Sequence, residues 1–176
     1  MSTGDGNLDD HDAIQSEMMS EMCLMVDSED KVIGSESKLV CHRNNGIRHR
    51  AFSVLIFDSQ DRLLVQKRSS EKITFPGVWA NSCCSHPLDL GAENDGADGV
   101  VNAAKRKLEQ ELGVPTKESA LWTFHHIGRM EYSCRWNEDW IEREIDHIMV
   151  VRADANIDHN LNEISDVLWA EPTEVN

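Results

Sequence analysis

Short apolar runs, separated by turn-forming residues, follow one another along most of this chain and predict a series of β-strands. The predicted strands cover residues 22–26, 31–33, 51–57, 62–67, 121–129, 141–152 and 166–169. Acidic and polar turns at residues 27–30 and 58–61 join the first four strands into two hairpins. A loop that opens at Phe75 runs through Pro87.

One strong helix is predicted over residues 99–112. Its apolar residues recur every four positions on one face: Val100, Ala104, Leu108 and Leu112. Lys107 is assigned to the charged residues outside that face. Asp98 is the predicted N-cap, and Gly113 ends the helix. Many strands around one helix, without a repeated βαβ unit, indicate an α+β sandwich.

The first 19 residues are acidic and lack apolar periodicity, which predicts a disordered tail before a single domain over residues 20–176. A net charge of −15 argues against nucleic-acid binding. No apolar run approaches the roughly 20 residues needed to cross a bilayer. The five cysteines and the absence of an apolar leader favour a reduced, cytoplasmic protein, which we expect to be a monomer without a membrane partner.

Five side chains suggest a metal site: His42, His49, His86, Glu142 and Glu144. Taken singly, each histidine reads more simply as an ordinary loop residue. The two glutamates, at i and i+2 of a predicted strand, project from one face. Such a pair is either a solvated strand face or part of a site for one octahedral divalent cation, such as Mn²⁺, Mg²⁺ or, under some conditions, Zn²⁺.

Three further residues suggest chemistry beside that site. Cys84 lies two positions before His86, where a cation would favour its thiolate and make it a proton-transfer group. The alternative is a buried, inert cysteine, as predicted for Cys23, Cys41, Cys83 and Cys134. Arg68 and Lys72 are spaced to clamp a diphosphate, although two basic loop residues are more often simply solvated.

Three segments together resemble the type I isopentenyl-diphosphate isomerases. They are H-R-A-F-S-V-L-I-F from residue 49, K-I-T-F-P-G-V-W-A-N-S-C-C-S-H-P from residue 72 and W-I-E-R-E-I-D from residue 140. The resemblance extends from about residue 22 to residue 169. It implies a Nudix-like α/β/α sandwich with a mixed sheet, and a role in isoprenoid biosynthesis.

Carried over by position, the resemblance gives each residue a role. It implies a divalent metal site at His42, His49, His86, Glu142 and Glu144, with Mn²⁺, Mg²⁺ or Zn²⁺ bound. The implied catalytic pair is Cys84 and Glu144, assisted by Tyr132. Diphosphate contacts fall on Lys38, Arg68, Lys72 and Ser85. A Mg²⁺ ion bound with the substrate diphosphate would use Glu111 and the carbonyl of Cys84.

The implied reaction interconverts isopentenyl and dimethylallyl diphosphate by protonation and deprotonation through a tertiary carbocation. In the family, a helical segment beyond the last strand covers the site with a tryptophan, whereas this chain ends at Asn176. We therefore expect intact metal binding but lowered turnover, unless Trp79, Trp136 or Trp140 substitutes.

Two alternatives remain. One is a catalytically impaired homologue that binds metal or diphosphate. The other is a Nudix hydrolase, whose helix motif R-E-x-x-E-E-x-G aligns with residues 106–113. Lys107 and Gln110 replace two of the three glutamates that such a hydrolase needs for its metals.

Overall fold

The computed structural model describes residues 8–174, which form four helices and nine strands. The helices are α1 (Ala13–Met18), α2 (Lys38–Cys41), α3 (Gly96–Leu112) and α4 (Thr116–Ser119). The strands are β1 (Met22–Val26), β2 (Val32–Ser37), β3 (His49–Phe57), β4 (Leu63–Arg68), β5 (Trp79–Ala80), β6 (Cys83–Ser85), β7 (His125–Arg135), β8 (Ile141–Arg152) and β9 (Ile164–Ala170). Within the described residues, no helix combines the length and apolar character needed to cross a membrane.

Strand β3 lies at the centre of the sheet. It pairs in parallel with β8, from His49 opposite Glu144 onwards, and antiparallel with β6, where Ser53 lies opposite Cys84. Strand β7 adds to the far edge of β8 as an antiparallel partner. The sheet is therefore mixed, and the predicted α+β class is confirmed.

The second predicted hairpin forms only in part. Strands β3 and β4 pair at a single position, Phe57 opposite Leu63. Strand β4 instead pairs along its length with β9 and briefly with β5. The turn at 58–61 is present, but the two strands separate beyond it, where the hydroxyl of Ser82 accepts from Ile56 N–H and donates to the carbonyl oxygen of Leu64.

The two faces of β3 have different environments. Phe52, Val54 and Ile56 are fully buried in the core, against the apolar side of α3. Burying each such side chain contributes about 1.5–3 kcal/mol. On the opposite face, His49 and Ser53 point with the paired residues of β6 and β8 toward the functional side of the sheet. Core packing thus holds the strand that carries the site.

Helix α3 begins three residues earlier than predicted, with Asp95 instead of Asp98 at the N-cap position. Asp98 lies in the first turn, where its carboxylate interacts favourably with the positive end of the helix dipole. The predicted end at Gly113 is confirmed, because this residue adopts the left-handed conformation with φ 69°. A Cβ there would collide with the carbonyl oxygen of Asp158, so a glycine is required.

The N-terminal segment differs from the predicted disordered tail. Residues 8–10 form a 3₁₀ turn, and α1 follows, capped by Asp12, whose carboxylate accepts from the backbone N–H groups of Ile14 and Gln15. Met19 is buried in a small cluster with Ile73 and Trp140. Contacts with distant parts of the chain order this segment, and such contacts leave no pattern in the local sequence. Residues 1–7 lie outside the described part of the chain.

Candidate metal centre and active site

Four side chains converge at one end of β3. His42, at the end of α2, His49, at the start of β3, and His86, just after β6, point their Nε2 atoms at one oxygen of Glu144 on β8. The distances from these nitrogens to Glu144 Oε1 are 3.9, 3.4 and 2.8 Å, in that order. All four residues are buried, and their ligand atoms lie within 4.8 Å of one another.

Two of the histidines have a fixed ring orientation. His42 Nδ1 lies 2.8 Å from the carbonyl oxygen of Lys38, and His49 Nδ1 lies 2.7 Å from that of Ile47. A carbonyl only accepts, so each Nδ1 carries the proton and each Nε2 presents its lone pair to the site when the ring is neutral. Nε2 of His49 is buried without a hydrogen-bond partner.

Three of the four groups, His42, His86 and Glu144, have protonation states that suit a cation. Burial lowers the pKa of His42 well below its usual value and that of His86 to about 3. Burial opposes ionisation of Glu144, but the adjacent imidazoles of His49 and His86 hold its pKa well below the usual range. His49 differs, because Glu144 outweighs burial and raises its pKa. Converging imidazoles, an ionised carboxylate and an orphaned nitrogen fit a divalent metal ion.

Glu142 lies on the same face of β8 as Glu144, as predicted, but outside the four-residue cluster. The two carboxylates share the phenol of Tyr132, whose oxygen lies 3.2 Å from Glu142 Oε2 and 2.5 Å from Glu144 Oε2. Burial and the neighbouring Glu144 raise the pKa of Glu142 to about 7. Burial and both carboxylates raise the pKa of Tyr132, which therefore remains a phenol and donates.

Cys84 enters the same pocket from β6, on the other side of β3 from Glu144. Burial raises the pKa of its thiol to about 12; Arg68 opposes this, and the carboxylates of Glu111 and Glu142 add to it. The protein's own charges therefore favour the thiol, and the thiolate expected beside a bound cation stays a prediction. Cys134, expected to be buried, is exposed on β7.

The pocket has an empty volume of about 600 Å³, which includes its open mouth. The four predicted diphosphate contacts all line it: Lys38, Arg68, Lys72 and Ser85. Arg68 also holds the neighbouring loop, because its guanidinium donates to the carbonyl oxygens of Thr74 at 2.7 Å and Phe75 at 3.0 Å. The pocket therefore brings basic groups and metal-binding groups together.

Glu111 also lines the pocket, but its carboxylate already has a cationic neighbour. Nζ of Lys107 lies 3.0 Å from Glu111 Oε1. Lys107 is 1% exposed, so its assignment to the solvated side of the helix is wrong. Position 107 is seven residues after Val100 and therefore shares its face, a signal that the helical spacing already contained. The predicted role of Glu111 in binding Mg²⁺ stays a prediction.

Three features of the pocket were not anticipated. Gln15 and Met19 from the N-terminal segment line it, although no sequence pattern linked them to the motifs. Asp146 lines the pocket as well. It lies two residues after Glu144 on the same strand face, and this spacing could have predicted its place in the pocket from the sequence. Burial raises the pKa of Asp146 to about 6, although the hydrogen bond from Ser53 opposes this.

The tryptophans do not take the expected place. Within the described residues, none of them belongs to the pocket lining. Trp79 is exposed on β5, and Trp140 is buried beside Met19 and Ile73. Trp136 stacks on Phe75, with ring centroids 4.9 Å apart. The predicted substitution of a resident tryptophan is thus not supported for Trp79.

Sequence comparisons give consistent relatives. The NUDIX domain family matches residues 47–176. The chain is 41% identical to an isopentenyl-diphosphate delta-isomerase of Gibberella zeae, over 97% of this chain and 71% of that protein. It is 40% identical to an isopentenyl-diphosphate delta-isomerase of Bos taurus, over 95% and 76%, and 43% identical to one of Dictyostelium discoideum, over 94% and 73%.

Solved structures share the fold at low identity. DR0079 from Deinococcus radiodurans superimposes with a TM-score of 0.65 at 19% identity, covering 88% of this chain and 86% of that one. A NUDIX hydrolase from Alicyclobacillus acidocaldarius gives a TM-score of 0.51 at 12% identity, covering 69% and 78%. At such identities the likeness supports the fold alone.

Proposed function

The chain belongs to the isopentenyl-diphosphate delta-isomerases, a family with the NUDIX fold, and on that premise we propose that its pocket carries out the isomerisation through Glu144 and Cys84. The protein is an isomerase that acts on a small diphosphate substrate. The observation that carries the residue assignment is the convergence of three histidines on Glu144 inside a pocket that Cys84 also lines.

The proposed reaction moves one double bond by two proton transfers. A proton added to the terminal alkene carbon leaves a tertiary carbocation, and removal of a proton from the carbon on its other side forms the new double bond. Glu144 and Cys84 approach the pocket from strands on either side of β3. This arrangement supports one group acting as the acid and the other as the base.

Tyr132 supports the role of Glu144. Its hydroxyl contacts both Glu142 and Glu144, so it can hold a proton between the two carboxylates. Because the raised pKa of Glu142 makes that carboxyl the more easily protonated of the pair, we propose that it supplies protons to Glu144 through the phenol. Tyr132 thus connects the buried acid to the rest of the pocket.

His42, His49, His86 and Glu144 would hold a divalent ion, and Glu142, which the resemblance adds to this set, lines the same pocket. When bound, such an ion supplies fixed positive charge that keeps Glu144 oriented and lowers its basicity. A substrate-bound Mg²⁺ near Glu111 and Cys84 remains part of the proposal. The ammonium of Lys107 beside Glu111 means that this carboxylate would be shared between two cations.

The diphosphate would bind at Lys38, Arg68, Lys72 and Ser85. Three of these residues lie on separate elements and Lys72 lies in the loop after β4, and two of the four already have protein partners. Lys72 forms an ion pair with Glu163, and Arg68 donates to loop carbonyls. Binding of a diphosphate would therefore add to contacts that hold these side chains in position beforehand, which lowers the entropic cost of recognition.

Incubation with isopentenyl diphosphate and Mg²⁺ in D₂O tests the assignment directly. The wild-type chain should form dimethylallyl diphosphate that carries deuterium in a methyl group. Cys84→Ala and Glu144→Gln should each lower turnover by about 10²–10⁴-fold, because each removes a proton-transfer group. Glu171→Gln, at an exposed glutamate outside the pocket lining, is the matched control and should leave turnover unchanged. Near wild-type turnover in either active-site variant would contradict the pairing.

A rival hydrolase activity has less support. Hydrolysis by a NUDIX enzyme needs several glutamates on the helix corresponding to α3, and here the buried ammonium of Lys107 lies among those positions. It stands where the hydrolase motif has a metal-binding glutamate, so α3 lacks a carboxylate that a hydrolytic metal cluster needs. The pocket chemistry therefore favours isomerisation.

A further inference from the structure

Asp146 is a buried carboxylate in the active-site pocket to which the proposed proton transfers give no role. It is 4% exposed and lines the pocket. Its Oδ2 accepts a hydrogen bond of 2.8 Å from the hydroxyl of Ser53. Its Oδ1 is buried without a hydrogen-bond partner. Burying a carboxylate oxygen without a hydrogen-bond partner costs free energy, which points to a ligand group that interacts with this oxygen.

The position of Asp146 places it on the same strand face as Glu144, joined through Ser53 to the strand beside Cys84. It lies two residues after Glu144 on the same face of β8, opposite Ala51 of β3. Ser53, which holds its other oxygen, lies opposite Cys84 of β6. The Ser53–Asp146 hydrogen bond therefore links β8, which carries Glu144, to β3, which pairs with the strand that carries Cys84. Asp146 is not part of the histidine cluster.

We propose that Asp146 is a further catalytic residue, which faces the five-carbon portion of the substrate and stabilises the positive charge that develops at its tertiary carbon. This inference rests on the proposed isomerase mechanism. A fixed negative charge in a site shielded from water acts on a developing cation more strongly than water does, and it needs no reorganisation when the charge forms. The hydroxyl of Ser53 is the positioning group that fixes the carboxylate in that direction.

A purely structural role makes a different prediction. If Asp146 served only to link β8 to β3 through Ser53, its loss would loosen the pocket and weaken every ligand of similar size to a similar extent. If instead it faces a developing cation, its loss weakens cationic ligands selectively and lowers kcat more than it raises KM.

The experiment compares two diphosphates of the same shape. In the first, a protonated tertiary amine replaces the tertiary carbon; in the second, that carbon is neutral and saturated. Dissociation constants are measured at pH 8 for the wild-type chain and for Asp146→Asn, which keeps the size of the side chain and removes its charge. We expect the amine to bind at least about 10-fold more weakly to the variant and the neutral compound to change by less than about 2-fold. We expect kcat to fall on the order of 10²-fold, as for loss of one aligned electrostatic group.

Two further variants complete the test. Asp166→Asn makes the same chemical change at an exposed aspartate of β9, and its kinetics and both affinities should match the wild type. Ser53→Ala retains the carboxylate but removes its anchor, so we expect a smaller loss in the same selective sense. If Asp146→Asn does not fold, which circular dichroism and metal content would reveal, Ser53→Ala decides the question.

Equal weakening of the amine and the neutral compound, or an unchanged kcat, would overturn the inference. A wild-type chain that fails to isomerise its substrate would contradict the proposed function instead, so the two failures are distinguishable.

Discussion

Glu163, just before β9, is a buried carboxylate whose removal should destabilise the fold by a predictable amount. It is 1% exposed, and its carboxylate forms ion pairs with Lys72 and, at 3.8 Å, with Lys107. Gln110 donates to it at 3.3 Å. Glu163→Gln would leave both lysines buried with Glu111 as the remaining carboxylate near Lys107.

The expected loss of stability follows both from the pKa of Glu163 and from the usual cost of breaking a buried ion pair. Burial by itself would raise the pKa of Glu163, but Lys72 and Lys107 lower it from 4.5 to about 2. At about 1.4 kcal/mol per pH unit, this difference corresponds to about 3 kcal/mol of stability. Breaking a buried ion pair by removing one partner typically costs about 3–5 kcal/mol. The pKa values of the two lysines shift in opposite directions: burial lowers that of Lys72, whereas Glu111 and Glu163 raise that of Lys107. The pKa of Glu163 reports the loss of stability better, because Glu163 contacts both lysines.

The assay is equilibrium unfolding in urea. A loss of about 3 kcal/mol should lower the midpoint by about 1–3 M at an m-value of about 1–3 kcal/mol per M. Because the folded pKa lies below the unfolded one, the stabilisation is complete above about pH 4.5 and is lost as the pH falls toward 2. The gap between wild type and Glu163→Gln should thus be constant from about pH 5.5 to 8 and shrink only in acid.

The control is Glu171→Gln, the same change at an exposed glutamate, which should alter stability by less than about 0.5 kcal/mol. A Glu163→Gln variant whose free energy of unfolding also changes by less than about 0.5 kcal/mol would refute the reasoning. So would a gap that changes between pH 5.5 and 8, because the carboxylate would then not be the titrating group that stabilises the fold.

The remaining predictions concern the active site. His49→Ala, which removes the orphaned nitrogen, should reduce one bound divalent ion per chain to a small fraction by elemental analysis, whereas the exposed His125→Ala should retain it. Retention in both variants would argue against the site. Tyr132→Phe should lower kcat by about 10–100-fold with the metal still bound, because it removes the hydroxyl that contacts both Glu142 and Glu144 and with it the proposed proton path; unchanged kcat would show that the phenol is dispensable. Nucleoside diphosphate compounds should release no phosphate in the presence of Mg²⁺, given the buried ammonium of Lys107, and steady metal-dependent hydrolysis would revive the rival activity.

Local patterns determined much of this protein. Alternating and continuous apolar runs predicted the strands that became β1, β3 and β8, because side chains on a pleated strand alternate between core and surface. The four-residue repeat from Val100 to Leu112, with Gly113 after it, predicted α3 and its end, because both depend on the geometry of one helix. The distinctive segments around Cys84 and Glu144 indicated the family without any knowledge of packing.

Contacts between distant segments required the tertiary structure. The ordering of α1 depends on Gln15 donating to Asn162, and such a pairing of residues 147 positions apart leaves no periodic signal. The burial of Lys107 depends on Glu163, which a loop brings to α3 from near the C-terminus. The orphaned oxygen of Asp146 likewise appears only when β3 and β8 lie side by side. Sequence determines which chemical groups a segment carries and which face of a helix or strand they share. Folding decides which partners each group meets, and therefore whether it is ionised, buried or left without a hydrogen bond, because electrostatic and packing energies depend on distance in space.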